Sequence, residues 1–280
     1  MEDIRLIACD LDGTLLQDGR KLPTSRQLEL VGELCDRGIS FFAASGRQYA
    51  SLRRLFEPVR DRIGYVCENG ALVRYRGETL VCREVPRALA LAVSHAVLDY
   101  PGANLLISTP SIAYAHEGDP AFLHELRDVV RNDVATYARP EEVNEPIIKM
   151  AFEVAHDAIP AATAHFQKLF GDKFSVVTSG NTWIDFLPFG VDKGTALAAA
   201  GERLGIPAAA MAAFGDNEND REMLTYVGHP YLMETCNPTM RDLPRVIYTP
   251  TVEDELERLL AGMIAMGAGQ SNRAGQSNPS

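Results

Sequence analysis

The sequence predicts an α/β fold in which a parallel-sheet core is interrupted by an α+β insert. Three observations carry that prediction. Short apolar runs alternate with amphipathic helical patterns over residues 1–83 and again over 190–268, as βαβ units do. Between them, over 84–189, strand-like runs follow one another across turn signals, the pattern of antiparallel pairing. The apolar runs of the flanking parts end in polar clusters, first among them Asp10-Leu11-Asp12-Gly13-Thr14, and open α/β sheets gather their ligands at such strand ends.

Each element has its own warrant. Ile4 to Cys9 reads as a buried parallel strand that ends by presenting acids and is broken by Gly13. Pro23-Thr24-Ser25 starts a helix with Leu28, Val31, Leu34 and Cys35 as its apolar stripe, and Gly38 stops it. Ile39 to Ala44 is the next strand, ending at Ser45-Gly46-Arg47, and a second helix turns Leu52, Leu55 and Phe56 inward. Tyr65-Val66-Cys67 follows, then the turn signal Asn69-Gly70, then a hairpin around Arg76-Gly77. The rhythm changes at Val85-Pro86. A helix over 87–98 leads to strands at 103–108 and 112–115, and another helix follows Asp119-Pro120. Residues 141–146 read as an acidic loop, 147–154 as a strand, 159–170 as a helix, and 174–178 and 182–187 as strands. The insert is expected to be mainly antiparallel with its helices on one face. Asn181 is read as turn chemistry and Trp183 as core. Pro188-Phe189-Gly190 marks the return. Lys193 then opens an Ala- and Leu-rich helix, 209–214 is a strand ending at Gly215-Asp216, and the last helix is expected over about 252–264. Residues 269–280 repeat Gly, Gln, Ser and Asn without an apolar anchor and are expected to be a disordered tail.

Composition narrows the class of partner. The 280 residues are 46% hydrophobic and 23% charged, a globular balance. The net charge of −11 argues against nucleic acid, which needs a basic surface. No apolar stretch approaches the ~20 residues that span a bilayer, so no membrane partner and a cytoplasmic location are expected. The five cysteines form no CxxC pair and read as buried free thiols. The histidines lack the spacing of a zinc site.

Four polar clusters carry the chemistry. Asp10 and Asp12 alone would be an ordinary acidic turn. Ser45 ends a strand, and Gly46 after it lets a backbone N–H approach an anion; Ser45 would equally cap a helix starting near Arg47. Lys193 stands at a helix start, where a cation opposes the macrodipole by about 0.3–1 kcal/mol. It is either solvated or shares one bound anion with the helix N-terminus. Gly215 to Asp220 reads as a capped helix start. Brought together, however, Asp10, Asp12, Asp216 and Asp220 would repel strongly unless a cation sits among them. Hard oxygen donors favour Mg²⁺ over zinc or copper.

In this order and at these element ends, the four clusters resemble the haloacid dehalogenase (HAD) superfamily. Asp10 to Thr14 is similar to its first motif, Ala44 to Arg47 to its Ser/Thr motif, Val191 to Gly194 to its Lys motif, and Gly215 to Asp220 to its acidic motif. The insert resembles the type IIB cap of Cof-type phosphatases, as do Asn69-Gly70-Ala71 and Met223-Leu224 after the acidic motif. The resemblance implies a Rossmann-like parallel-sheet core with an inserted α+β cap, and a Mg²⁺-dependent phosphatase of small phosphorylated metabolites. It implies that Asp10 is the nucleophile, Asp12 the general acid and base, and Ser45, Gly46, Lys193 and Asn219 the phosphate-binding groups. It implies that Mg²⁺ is held by Asp10, the Asp12 carbonyl and Asp216, with Asp220 behind them. Arg47 is expected either to contact the substrate or to be an exposed helix arginine. A phosphomutase and a non-catalytic phosphometabolite-binding protein would share the fold, but Asp12 favours turnover to phosphate. Two departures from the family pattern stand at Met233 to Pro238 and at Asp185, where relatives often carry Glu.

Overall fold

The structure is a computed structural model. It describes residues 4–179 and 182–274, with the backbone alone at 179 and 264–274. Asn181 and residues 275–280 lie outside the described residues.

The first half of the chain forms β1 (Leu6–Asp10), α1 (Ser25–Asp36), β2 (Ser40–Ala44), α2 (Tyr49–Leu55), β3 (Gly64–Cys67), β4 (Leu72–Tyr75) and β5 (Glu78–Cys82). The insert contributes α3 (Arg87–Leu98), β6 (Asn104–Ser108), β7 (Ala113–His116), α4 (Pro120–His124), β8 (Val134–Tyr137), β9 (Lys149–Glu153), α5 (Ile159–Phe170), β10 (Phe174–Ser179) and β11 (Trp183–Pro188). The return forms α6 (Lys193–Leu204), β12 (Met211–Gly215), α7 (Arg221–Tyr226), β13 (His229–Met233), β14 (Ile247–Thr249) and α8 (Val252–Ala274).

The first sheet runs β14-β13-β12-β1-β2-β3-β4-β5. It is parallel from β14 to β3 and antiparallel at β3-β4-β5. All five residues of β1 are buried, and alternate side chains serve opposite layers. Ile7 and Cys9 pack with Leu30, Leu34, Leu256 and Leu260 of α1 and α8. Leu6 and Ala8 pack with Leu197, Ala200, Met223 and Leu224 of α6 and α7. This explains the continuous apolar reading of β1, a strand covered on both faces. The chain steps from β1 to β2 and β3 on one side, then returns on the other side at β12. The switch point therefore lies between β1 and β12, where open sheets leave a crevice at the strand ends. Local signals start the helices. Thr24 and Gln27 form a capping box at α1, and Asp192 accepts the Thr195 N–H at 2.7 Å at α6, each cap contributing about 1 kcal/mol.

The second sheet runs β10-β11-β9-β6-β7-β8, antiparallel except where β7 pairs with β8. Three expectations are corrected here. The strand β8 falls where none was expected. It is a four-residue edge strand, partly exposed, too short for its alternation to stand out. The insert's helices are not all on one face. Leu105, Ile107, Phe152 and Phe186 share a core with Val93 and Phe166 of α3 and α5, whereas Leu106, Ala113 and Ala115 pack on Phe122, Leu123 and Leu126, from α4 and the π-helical turn Glu125–Val129. Finally, residues 269–274 are helical, not irregular: α8 continues through Ala274, because adding a residue to an existing helix is far easier than starting one. Among the described residues, no helix is long and apolar enough to cross a membrane, and the five cysteines are free.

Candidate active site

Register places the candidate side chains along one edge. Cys9 pairs with Phe214 on β12 and Asp10 with Ala44 on β2, so Asp10, Ser45 and Asp216 leave three adjacent strands together. Lys193, at the first position of α6, reaches into the same crevice. Its Nζ lies 2.5 Å from Asp10 Oδ1 and 2.7 Å from Asp220 Oδ1, and its exposure is 0%. The expectation of a solvated Lys193 is corrected: it is buried, and two carboxylates offset its unfavourable position at the positive end of the helix.

Asp220 is fully engaged. Its Oδ1 accepts from Lys193, and its Oδ2 accepts the backbone N–H groups of Asp216 at 3.0 Å and Asn217 at 3.2 Å. Thr14 donates to Asp216 Oδ1 at 2.8 Å, and the Asn237 N–H donates to the Asp216 carbonyl at 2.8 Å. The segment that departs from the family pattern thus fastens the acidic loop through its backbone. Close packing requires glycine twice. Gly13 has φ +92°, and a Cβ there would lie 2.3 Å from Asp216 Oδ2; one at Gly215 would lie 2.6 Å from Asp220 Cβ.

Ligand oxygens of Asp10, Asp216 and Asp220 all lie within 4.8 Å of one another. Burial, with the Asp220 charge added, pushes the Asp10 carboxyl well above the usual carboxylate range, against the pull of Lys193. Burial also pushes the Asp216 carboxyl up, against its hydrogen bond from Thr14. For Lys193 burial acts downward, but Asp10 and Asp220 outweigh it and hold the ammonium above its ordinary value. Fully ionised, the three carboxylates against one ammonium leave two negative charges uncompensated. That set of hard oxygen donors fits a divalent cation.

The other site residues are arranged around this cluster. Asp12 lies beyond the end of β1 with its side chain exposed, and the Arg47 guanidinium grips it through two contacts, Nε–Oδ2 at 3.0 Å and Nη2–Oδ1 at 2.5 Å. Arg47 is therefore not a free surface residue but is paired with Asp12. Ser45 is buried, and its Oγ accepts the Arg47 N–H at 3.3 Å. It does not cap α2, which begins at Tyr49 after Gln48. Gly46 faces Asn69, whose amide a Cβ would approach to 3.1 Å. Asn219 is exposed, and its amide donates to Asn69 Oδ1 at 3.3 Å.

Sequence reasoning gave no site role to Thr14, Glu68 or Lys149, and read Asn69 only as a turn signal and as part of the motif that resembles the Cof-type phosphatases. Thr14 stands inside the first cluster, so its hydroxyl was a visible signal. Lys149 was signalled by its place, a cation between the apolar residues Ile147-Ile148 and Met150-Ala151-Phe152. Asp185, a departure from the family pattern, is buried beside it.

Comparisons with known proteins bear on this arrangement. The model of the haloacid dehalogenase-like hydrolases matches residues 7–255. The chain is 28% identical over 234 residues to the 5-amino-6-(5-phospho-D-ribitylamino)uracil phosphatase YbjI of Escherichia coli, covering 83% of this chain and 86% of that protein. It is 29% identical over 253 residues to the HMP-PP phosphatase of Cronobacter sakazakii, covering 86% and 89%. A crystal structure from Eubacterium rectale superposes with a TM-score of 0.81 at 27% identity, over 91% of this chain and 99% of that one. The HAD subclass IIB sugar phosphatase BT4131 superposes with a TM-score of 0.74 at 18% identity, over 94% and 99%, a likeness of fold alone.

Proposed function

We propose a catalytic cycle for this chain, which belongs to the haloacid dehalogenase-like hydrolase family and is a phosphatase. The substrate is a small phosphorylated metabolite, a sugar phosphate or phosphorylated cofactor, like the esters for which the curated relatives are named. The observation that carries this reading is the buried cluster of Asp10, Lys193, Asp216 and Asp220 at the end of the central strand.

A carboxylate oxygen of Asp10 attacks phosphorus. The Asp10–phosphorus bond forms, the bond to the leaving oxygen breaks, and Asp12 gives that oxygen a proton. Asp12 then takes a proton from the attacking water, the Asp10–phosphorus bond breaks, and phosphate and free Asp10 are regenerated. Lys193, the Ser45 hydroxyl, the Gly46 N–H and Asn219 bind the phosphoryl oxygens as their charge reorganises. Asp10, Asp216 and the Asp12 carbonyl would hold Mg²⁺, with Asp220 orienting Lys193 and the acidic loop from behind. When bound, Mg²⁺ supplies charge neutralisation for the transferring group. Arg47 exchanges Asp12 for an anionic group of the substrate. Residues 84–189 form the cap, which excludes water and contacts the leaving group.

Phosphate release from a generic aryl phosphate tests the reading. The wild-type protein with Mg²⁺ releases phosphate; chelating Mg²⁺ or substituting Asp10→Asn stops it. An Asp10→Asn protein that still turns over rules out Asp10 as nucleophile. Isomerised sugar phosphate without free phosphate identifies a mutase instead.

A further inference from the structure

A second buried lysine lies between the two sheets. Lys149 is the first residue of β9, and its neighbour Ile148 is already packed in the core of the first sheet. Lys149, Glu68 and Asp185 are 5%, 3% and 3% exposed. The ammonium lies 2.5 Å from Glu68 Oε2 and 3.7 Å from Asp185 Oδ1, and donates to the Gly46 carbonyl at 3.2 Å. Asp185 Oδ2 accepts from the Asn69 amide at 3.3 Å, and Asn69 Oδ1 accepts from Asn219 at 3.3 Å. The Glu68-Asn69 turn is itself tied to the serine turn, Glu68 N–H to the Arg47 carbonyl at 3.2 Å and Asn69 N–H to the Ser45 carbonyl at 3.1 Å. Glu68 and Asn69 both have positive φ, 50° and 53°, a conformation that non-glycine residues hold only when their surroundings impose it.

We propose that Lys149 is a positioning residue, carried by the second sheet, that sets the phosphate-binding groups of the first. Its bond to the Gly46 carbonyl fixes the Gly46–Arg47 peptide plane, and with it the Arg47 N–H that meets Ser45 Oγ. Through Glu68, Asp185 and Asn69 the same ammonium fixes the amide that meets Asn219. The serine turn and Asn219 are thus held by the cap's seating on the core. Burial acts to lower the Lys149 ammonium, but Asp185 and Glu68 outweigh it, so the group stays charged. This inference rests on the reading of Ser45, Gly46 and Asn219 as phosphate ligands.

Inorganic phosphate is the probe, because it has no leaving group for a cap to contact. Its Kd with Mg²⁺ present, by calorimetry, and kcat and KM for an aryl phosphate are compared in wild type, Lys149→Met and Lys149→Arg. Because Lys149→Met leaves two buried carboxylates unpaired, a fourth protein combines it with Glu68→Gln and Asp185→Asn. The expected result is weaker phosphate binding by about 10- to 100-fold and a lower kcat in Lys149→Met, persistence of both in the neutralised triple variant, and partial recovery in Lys149→Arg. Wild-type phosphate Kd and kcat in the Lys149→Met and triple variants, with only melting temperature or KM altered, make Lys149 a structural residue and overturn the proposal. A wild-type protein that neither binds nor releases phosphate overturns the functional reading and this inference together.

Discussion

Two buried lysines, each between two carboxylates, meet the same physical problem differently. Lys193 sits between Asp10 and Asp220, Lys149 between Glu68 and Asp185. Around Lys193 a third acid, Asp216, joins the cluster, and the surplus is two negative charges. Around Lys149 the surplus is one, and the remaining contacts are neutral, the Gly46 carbonyl and the Asn69 amide. The first cluster is left short of positive charge, which a metal and its substrate chemistry can use; the second is closed by protein groups and fixes geometry. A buried lysine between two acids is therefore uninformative by itself. What distinguishes the two clusters is the residual charge and whether protein groups close the cluster.

That contrast can be broken in several ways, the largest effect first. Asp10→Asn is expected to lower phosphate release by about 10⁴-fold or more, since it removes the proposed nucleophile, while circular dichroism stays native. Lys193→Met leaves three acids together without a cation. It is expected to cost about 3–5 kcal/mol of stability, measured by denaturant unfolding without Mg²⁺. Magnesium separates the two clusters further. At a hundred times its Kd it should stabilise the wild type by about 2.7 kcal/mol. That gain should vanish in Asp216→Asn and survive in Lys149→Met. An equal gain in Asp216→Asn would remove the metal from this cluster. Gly13→Ala forces a Cβ against Asp216 at positive φ and should lose magnesium stabilisation without touching Lys149. The smallest effect is at Arg47. The Arg47–Asp12 pair is partly exposed, so Arg47→Gln should change stability by no more than about 1 kcal/mol, with the change read in KM for anionic substrates.

The reacting centre was far more legible in the sequence than the fastening. Asp10, Ser45, Lys193 and Asp216 each stand directly after an apolar strand or at a helix start, so local pattern places them, and sheet topology then brings them to one edge. The partners of Lys149 come from the turns after β2 and β3 and from β11, and nothing local in those segments shows that they meet. Their pairing depends on how the second sheet seats on the first. The strand β8 was missed because four residues, of which Tyr137 alone is buried, carry little periodicity. The far end of α8 was missed because Gly, Ser and Asn argue locally against a helix that an apolar stripe at Val252, Leu256, Leu259 and Leu260 had already begun. Arg47 was ambiguous because its partner, Asp12, is 35 residues away.

The central claim is that Asp10 itself carries the phosphoryl group. Rapid acid quenching of the wild-type protein during turnover of an aryl phosphate with Mg²⁺, followed by peptide mapping by mass spectrometry, reads it directly. The account predicts an acid-stable, base-labile phosphoryl group on the peptide that contains Asp10, absent in Asp10→Asn. A phosphoryl group on any other residue, or sustained turnover with the same intermediate in Asp10→Asn, would contradict it.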